Sequence, residues 1–428
     1  MAKDARRQLH LWAFLQGIGH YPGGWRYRGA RPEAVFDADY YAALGRLTER
    51  GRFDAIVFGD QLHGRDAAGR APSRLAAPTL DPFTLLSLIA GATRRIGLVA
   101  TVSTTYNEPL VVAEKFATLD VLSRGRAGWN IVTTAHPASP WNFGEEVLPE
   151  KSLRYARADE FVEVASAFWA AARPGGEANG DIAHQGRWFA VKGALSTPRP
   201  PQGRPVLVQA GQSSDGRDFA ARTAEAIFCP ASRFEDGKAY RDDMRARLPR
   251  FGRDPDDVKI MPGLSFVLAS TEAEAIAKDK DLLDLATPDL CIEYLGESIG
   301  FDLTRHDPEG PIPLTAILAT CEFPADYVRQ VLARPVEQGL GLAAFASSYA
   351  RTPRGHQTFR GTPEQLADMM QHWLEEGACD GFTLQPAYMP GELELFVDEV
   401  TPLLQRRGVL RTDYEHATLR GHLGLGAL

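Results

Sequence analysis

Ser123-Arg124-Gly125-Arg126-Ala127-Gly128-Trp129-Asn130-Ile131-Val132-Thr133-Thr134 is the stretch on which the fold turns. Ala127 to Val132 reads as a buried strand that carries one polar amide, Asn130, inside an apolar run, and the paired hydroxyls Thr133-Thr134 follow at its carboxyl end. A buried amide without partners costs a few kcal/mol. Asn130 therefore bonds either neighbouring backbone or something brought to the strand end, and spacing alone leaves both open.

Working outward, strand-like and helix-like segments alternate on both sides. Pro109 to Leu122 reads as a helix before this strand, and Ser152 to Ala172 as one after it, with Phe161, Val164, Ala165 and Phe168 on a single face. Further out, Leu9 to Gln16, Phe53 to Phe58 and Ile96 to Thr101 read as strands, with helices at Pro32 to Arg50 and Asp81 to Ala92. Towards the carboxyl terminus, Pro205 to Gln209, Ala226 to Phe228, Ile260 to Leu268 and Gly381 to Leu384 read as strands. Ile182 to His184 and Trp188 to Val191 flank Gly186 as a hairpin. Roughly eight strand–helix units predict an α/β fold, a (β/α)8 TIM barrel with insertions. An open doubly wound sheet is the alternative, but no Gly-x-Gly-x-x-Gly follows the first strand.

The whole chain, 1–428, is read as one barrel domain, with an insertion at about 287–357 that is rich in Pro and Gly. A long insertion of this kind usually covers a site. A C-terminal arm at about 405–428 is expected to pack on its own domain or on a neighbouring subunit. With 44% hydrophobic and 24% charged residues the composition is that of a globular enzyme, and a net charge of −8 points to neither nucleic acid nor an anionic membrane. No apolar run reaches the ~18 residues of a membrane helix. The opening, with His10 inside its apolar run, reads as a first strand rather than a leader. Cys229, Cys291, Cys321 and Cys379 have no metal-ligand spacing and fit reduced thiols, so a cytoplasmic location is expected and no metal site.

Barrel sites lie where strands end. There stand Gly17-Ile18-Gly19-His20 with Trp25, then Gly59-Asp60-Gln61-Leu62-His63, Ser103-Thr104-Thr105, Asn130 to Thr134, and Gly211-Gln212-Ser213-Ser214. The last is a glycine followed by two serines before a helix: a phosphate cradle or a plain N-cap. His20 and His63 could equally be packed or solvated.

These residues resemble the flavin-dependent monooxygenases of the bacterial-luciferase superfamily. The branch is that of nitrilotriacetate monooxygenase, dibenzothiophene-sulfone monooxygenase, pristinamycin synthase and long-chain alkane monooxygenase. The resemblance covers nearly the whole chain and is sharpest in Leu80-Asp81-Pro82-Phe83-Thr84, Ser103-Thr104-Thr105-Tyr106 and Gly125 to Asn130. Arg154-Tyr155-Ala156-Arg157-Ala158-Asp159-Glu160, Phe359-Arg360-Gly361-Thr362-Pro363 and Thr418-Leu419-Arg420-Gly421-His422-Leu423 agree as well.

The resemblance implies a luciferase-like barrel that takes reduced FMN as co-substrate from a separate NAD(P)H:flavin reductase. With dioxygen it would insert one oxygen atom into a small organic substrate through a flavin hydroperoxide. By motif, Asp60, Ser103, Thr104 and Asn130 would lie at the flavin, and Tyr155 with Ser213 or Ser214 at its phosphate. Lys151 stands where the family usually has His, and offers a phosphate a point charge. His20 is the candidate proton donor or acceptor, and Trp25 and Gln61 are candidate substrate contacts. A homodimer or homotetramer is expected by the same resemblance. The alternatives are a deazaflavin-dependent oxidoreductase of this fold and a non-catalytic flavin-binding protein.

Overall fold

The computed structural model describes residues 7–62, 80–174, 177–351 and 355–428. Its strands are β1 (His10–Phe14), β2 (Ala55–Phe58), β3 (Gly97–Ser103), β4 (Ala127–Val132), β5 (Ile182–Gln185), β6 (Ala190–Gly193), β7 (Val206–Gln209), β8 (Ala226–Cys229), β9 (Lys259–Leu268), β10 (Gln357–Gly361) and β11 (Gly381–Pro386). Eight of them are parallel and close on themselves in the order β1-β2-β3-β4-β7-β8-β9-β11. This is the (β/α)8 barrel expected from the alternation of segments. β5 and β6 form the expected antiparallel hairpin outside it.

Two details depart from the sequence reading. The expected helix from Pro32 is a short 3-10 turn, Pro32–Ala34, and then a helix Ala38–Arg50 that starts where the Asp37 carboxylate accepts the Asp39 N–H at 2.9 Å. β10 is a ninth parallel strand that lengthens the sheet beside the carboxyl half of β9. Its residues are mostly half-buried and polar, so no apolar alternation marked it.

Period-two alternation sorts each barrel strand into an outer and an inner face. On β4, Trp129 turns outward among Phe116, Phe161 and Trp169. Asn130 turns inward, opposite Thr101 of β3. The inner face is narrow, and residues from the far end of the chain fill it. Trp12, Val57, Val99, Val206, Val208 and Met261 pack with Leu419 and Leu423 of the C-terminal arm. Gly97 and Gly128 make room for the plug: a Cβ on Gly97 would lie 2.5 Å from a Leu419 methyl, and one on Gly128 3.2 Å from the other. Each fully buried leucine contributes about 1.5–3 kcal/mol.

Charge pairs fix the arm beneath the barrel. Arg411 reaches the fully buried Asp54 at 2.6 Å, and Arg420 grips Glu225 through both terminal nitrogens at 2.7 and 3.0 Å. Burial alone would raise the Asp54 carboxyl, but Arg411 and His10 hold it below the usual range. The arm thus packs on its own domain.

Residues 288–351 carry the helices Pro288–Ile299, Leu314–Thr320, Ala325–Glu337 and Leu342–Arg351, which share an apolar core of their own around Leu295, Ile317, Leu332 and Leu342. That core also takes in Ala138, and Phe323 meets His136 at 5.3 Å and Trp141 at 5.9 Å. The helical insert therefore leans on the long loop after β4, at the carboxyl end of the barrel. Among the described residues, no helix is long and apolar enough to cross a membrane.

Candidate active site

A cleft of about 560 Å³, its open mouth included, lies inside the carboxyl end of the barrel. Trp12, Phe14, Val57, Val208 and Phe228 make its apolar walls; Asp60, Thr101, Asn130 and Thr383 are its polar points. These come from β1, β2 and the turn after it, β3, β4, β7, β8 and β11, so closure of the sheet creates the cavity.

Asn130 bonds a side chain across the sheet, not the neighbouring backbone that the sequence reading allowed. Its amide nitrogen donates to Thr101 Oγ1 at 2.9 Å, a cross-strand bond within the wall. Its Oδ1 is buried and has no hydrogen-bond partner among the described residues. The amide nitrogen is structural in this wall, and the oxygen beside it is enclosed.

Beyond Asn130 the backbone is strained. Thr134 has φ 46°, an outlier for a β-branched residue. Surrounding bonds impose it: Ser103 Oγ and Thr134 Oγ1 share a hydrogen bond at 2.6 Å, and Arg154 donates to the carbonyls of Thr133 (3.0 Å) and Thr134. Ser103 Oγ also accepts the Thr105 N–H, and Thr104 Oγ1 donates to Val132 O at 3.3 Å. In this structure the Ser103 and Thr104 hydroxyls brace the turn. Arg154, missed as a site residue, pairs with carbonyls, and burial lowers its guanidinium.

The second expected cluster forms around β7. Ser213 is the N-cap of the helix Ser214–Thr223, its Oγ accepting the Gly216 N–H at 3.2 Å. Tyr155, near the start of the helix Lys151–Ala171, packs on Phe219 and brings its hydroxyl over this turn. A Cβ on Gly211 would lie 2.9 Å from that hydroxyl, and one on Gly216 2.6 Å from it. The two glycines thus let their backbones and the Tyr155 hydroxyl pack closely together at the N-terminus of this helix, where a Cβ on either would collide. Ser214 is exposed on the first turn, and Lys151 is exposed at the start of its own helix. Neither belongs to the cavity wall.

Asp60 does reach the wall. Burial raises its carboxyl, and it accepts the Gln61 N–H at 2.8 Å, so Gln61 meets the site through its backbone. His20 sits at the end of β1, its ring 5.0 Å from that of Phe14, and its Nε2 donates to the Phe14 carbonyl at 2.7 Å. A carbonyl only accepts, so that nitrogen carries a proton. Trp25 lies in a short turn, Gly24–Arg26, that docks on the segment leading into the helical insert, where Arg26 donates to Leu285 O at 2.9 Å. His63 lies outside the described residues.

Sequence reasoning also missed His356, whose ring stacks on Phe228 at 4.9 Å. A signal existed: Gly263 is isolated within the apolar strand β9, and a Cβ there would meet the His356 ring at 2.3 Å. Among the described residues no group of three or more His, Cys, Asp or Glu side chains could hold a metal ion.

The family described as luciferase-like monooxygenase matches residues 20–378. N-acetyl-S-(2-succino)cysteine monooxygenase of Bacillus subtilis is 39% identical over 98% of this chain and 97% of its own length. Nitrilotriacetate monooxygenase component A of Aminobacter aminovorans is also 39% identical, with the same coverage. Among solved structures, riboflavin lyase with modified FMN and riboflavin superposes with a TM-score of 0.83 at 30% identity, covering 98% of this chain and 96% of that one.

Proposed function

This chain belongs to the luciferase-like monooxygenase family, and on that premise we propose that it uses reduced FMN from a separate reductase to oxygenate a small organic substrate. The observation that carries the reading is the apolar-walled cleft at the carboxyl ends of the strands, with Asp60, Thr101, Asn130 and Thr383 as its polar points and the N-terminus of the helix Ser214–Thr223 beyond β7. The relative named as component A supports a reductase partner, and the riboflavin lyase complex supports FMN as the flavin.

The residues divide the work accordingly. Tyr155 and the N-terminus of the helix Ser214–Thr223 would hold the phosphate, with Ser213 shaping the turn and Lys151 adding charge from outside. Asn130, its amide fixed by the Thr101 bond, would stand in the wall against the flavin ring. Phe14, Val57, Val208 and Phe228 exclude water. Reduced flavin, when bound, would supply the two electrons that let dioxygen place one oxygen atom in the substrate while the other leaves as water. His20, protonated at Nε2 and beside Phe14, would hold a proton at the rim. The helical insert would complete the cover through Phe323 on the β4 loop.

The test is anaerobic titration with reduced FMN, followed by oxygen uptake with candidate thioethers, amines and sulfones and a generic flavin reductase. Saturable binding and substrate-dependent uptake are expected. Absence of binding overturns the flavin reading. Binding without substrate-dependent uptake across a broad panel would favour a non-catalytic flavin carrier.

A further inference from the structure

Two arginines three residues apart, and so on one face, fasten the helix Lys151–Ala171 to the barrel rim. Arg154 Nη1 donates to the carbonyl of Thr133 at 3.0 Å and to that of Thr134. Arg157 Nε donates to Thr104 O at 3.1 Å and its Nη2 to Asn107 O at 3.4 Å, while its guanidinium lies 4.4 Å over the Phe189 ring. Both thus grip main-chain carbonyls just past the ends of β4 and β3. What they grip is itself fixed: Thr105 Oγ1 donates to Thr133 O at 2.9 Å, and the Ser103 bond holds Thr134 at φ 46°. Tyr155, next to Arg154 and therefore on a different face of the helix, packs on Phe219 with its hydroxyl close to Gly211 and Gly216. Arg222 ties the same two helices together, meeting the Asp159 carboxylate oxygens at 2.9 and 2.8 Å. The cleft residues Thr101 and Asn130 belong to β3 and β4, whereas Tyr155 and the Ser213 turn belong to the helices. Arg154 and Arg157 bond one group to the other.

We propose that Arg154 and Arg157 are positioning residues that set the spacing between the cleft wall and the Tyr155–Ser213 turn, so that one cofactor molecule engages both at once. The inference rests on the flavin reading above and adds two residues to it. A second contact by a ligand already held at one end is strengthened by its high local concentration, and is lost when the spacing is wrong. Reduced FMN has a ring for the cleft and a phosphate for the turn. Reduced riboflavin has the same ring and no phosphate. The ratio of their affinities therefore reads the spacing, and neither arginine has to touch the ligand.

The test is anaerobic titration of the wild type, Arg154→Met and Arg157→Met with reduced FMN and with reduced riboflavin. Both variants should lose about tenfold of the preference for FMN, with riboflavin affinity held within about twofold of the wild type. Equal losses for the two ligands would make the arginines merely structural and overturn the proposal. A preference unchanged in Arg157→Met overturns it too. That variant leaves the Arg154 charge in place, so a loss confined to Arg154→Met would be the direct work of that charge on the phosphate. A wild type that binds both ligands alike takes the phosphate away from this turn, and the positioning role with it. No saturable binding of either ligand by the wild type defeats the flavin reading itself. Should one variant fold poorly by circular dichroism, the ratio measured on the other decides.

Discussion

The two ends of this barrel are built on opposite principles. At the amino end the chain closes on itself: Leu419 and Leu423 fill the opening, and Asp54 and Glu225 meet Arg411 and Arg420. At the carboxyl end Asn130 Oδ1 has no hydrogen-bond partner among the described residues, Thr134 is held at a positive φ, and burial raises the Asp60 carboxyl against the pull of Lys115. Ion pairs within the chain make a floor, whereas an apolar-walled cleft with a few polar points makes a place for something else. Substitutions at the floor should therefore appear first as lost stability, and those at the mouth first as lost binding.

The largest expected effect is at the floor. Arg411→Ala strands the fully buried Asp54 carboxylate and should cost about 3–5 kcal/mol in urea unfolding. A loss below 1 kcal/mol would mean that His10 and backbone N–H groups suffice, and the contrast would weaken. Leu419→Ala should cost about 2–4 kcal/mol by opening a cavity among the inner strand residues. A reduced-FMN affinity changed as much as stability would show that floor and mouth are one unit.

At the mouth, Gly216→Ala places a methyl against the Tyr155 hydroxyl and should weaken reduced-FMN binding more than Lys151→Ala or Ser213→Ala. Those two are expected to lose about 1–3 kcal/mol of binding each. Equal affinities across all three variants would remove the phosphate from this turn.

A further test concerns pH. Burial depresses His422 to about 4 in the folded chain, while its Nε2 donates to Arg95 O at 2.8 Å. Its unfolded value is about 6.5, so the unfolded state binds the extra proton first as pH falls. The contribution is full above about 6.5 and is lost progressively down to about 4. His422→Gln should flatten stability against pH across that window; an unaltered profile would assign the acid sensitivity to Asp54, whose depressed carboxyl acts in the same direction at lower pH.

Much of this was legible in the sequence, and particular residues show why. β4 runs from Ala127 to Val132 as read, because a strand buried on both faces must be apolar throughout and the glycine turn before it sets its start. β10 escaped because a short, half-exposed strand at the sheet margin needs no apolar pattern. His356 and Arg154 escaped because their roles depend on what they lie against.

By itself, then, the sequence determined the order of strands and helices, the parallel barrel they make, and the strand ends at which chemistry gathers. Those follow from side-chain periodicity and backbone preference, which act over a few residues. Only the tertiary structure decided that the tail plugs the barrel beneath Trp12, that one half of Asn130 is bonded and the other half is not, and that the Tyr155 hydroxyl sits over Gly211 and Gly216. Each joins residues tens to hundreds of positions apart, and whether a buried polar atom has a partner is settled by the packed neighbours around it, which no local pattern encodes.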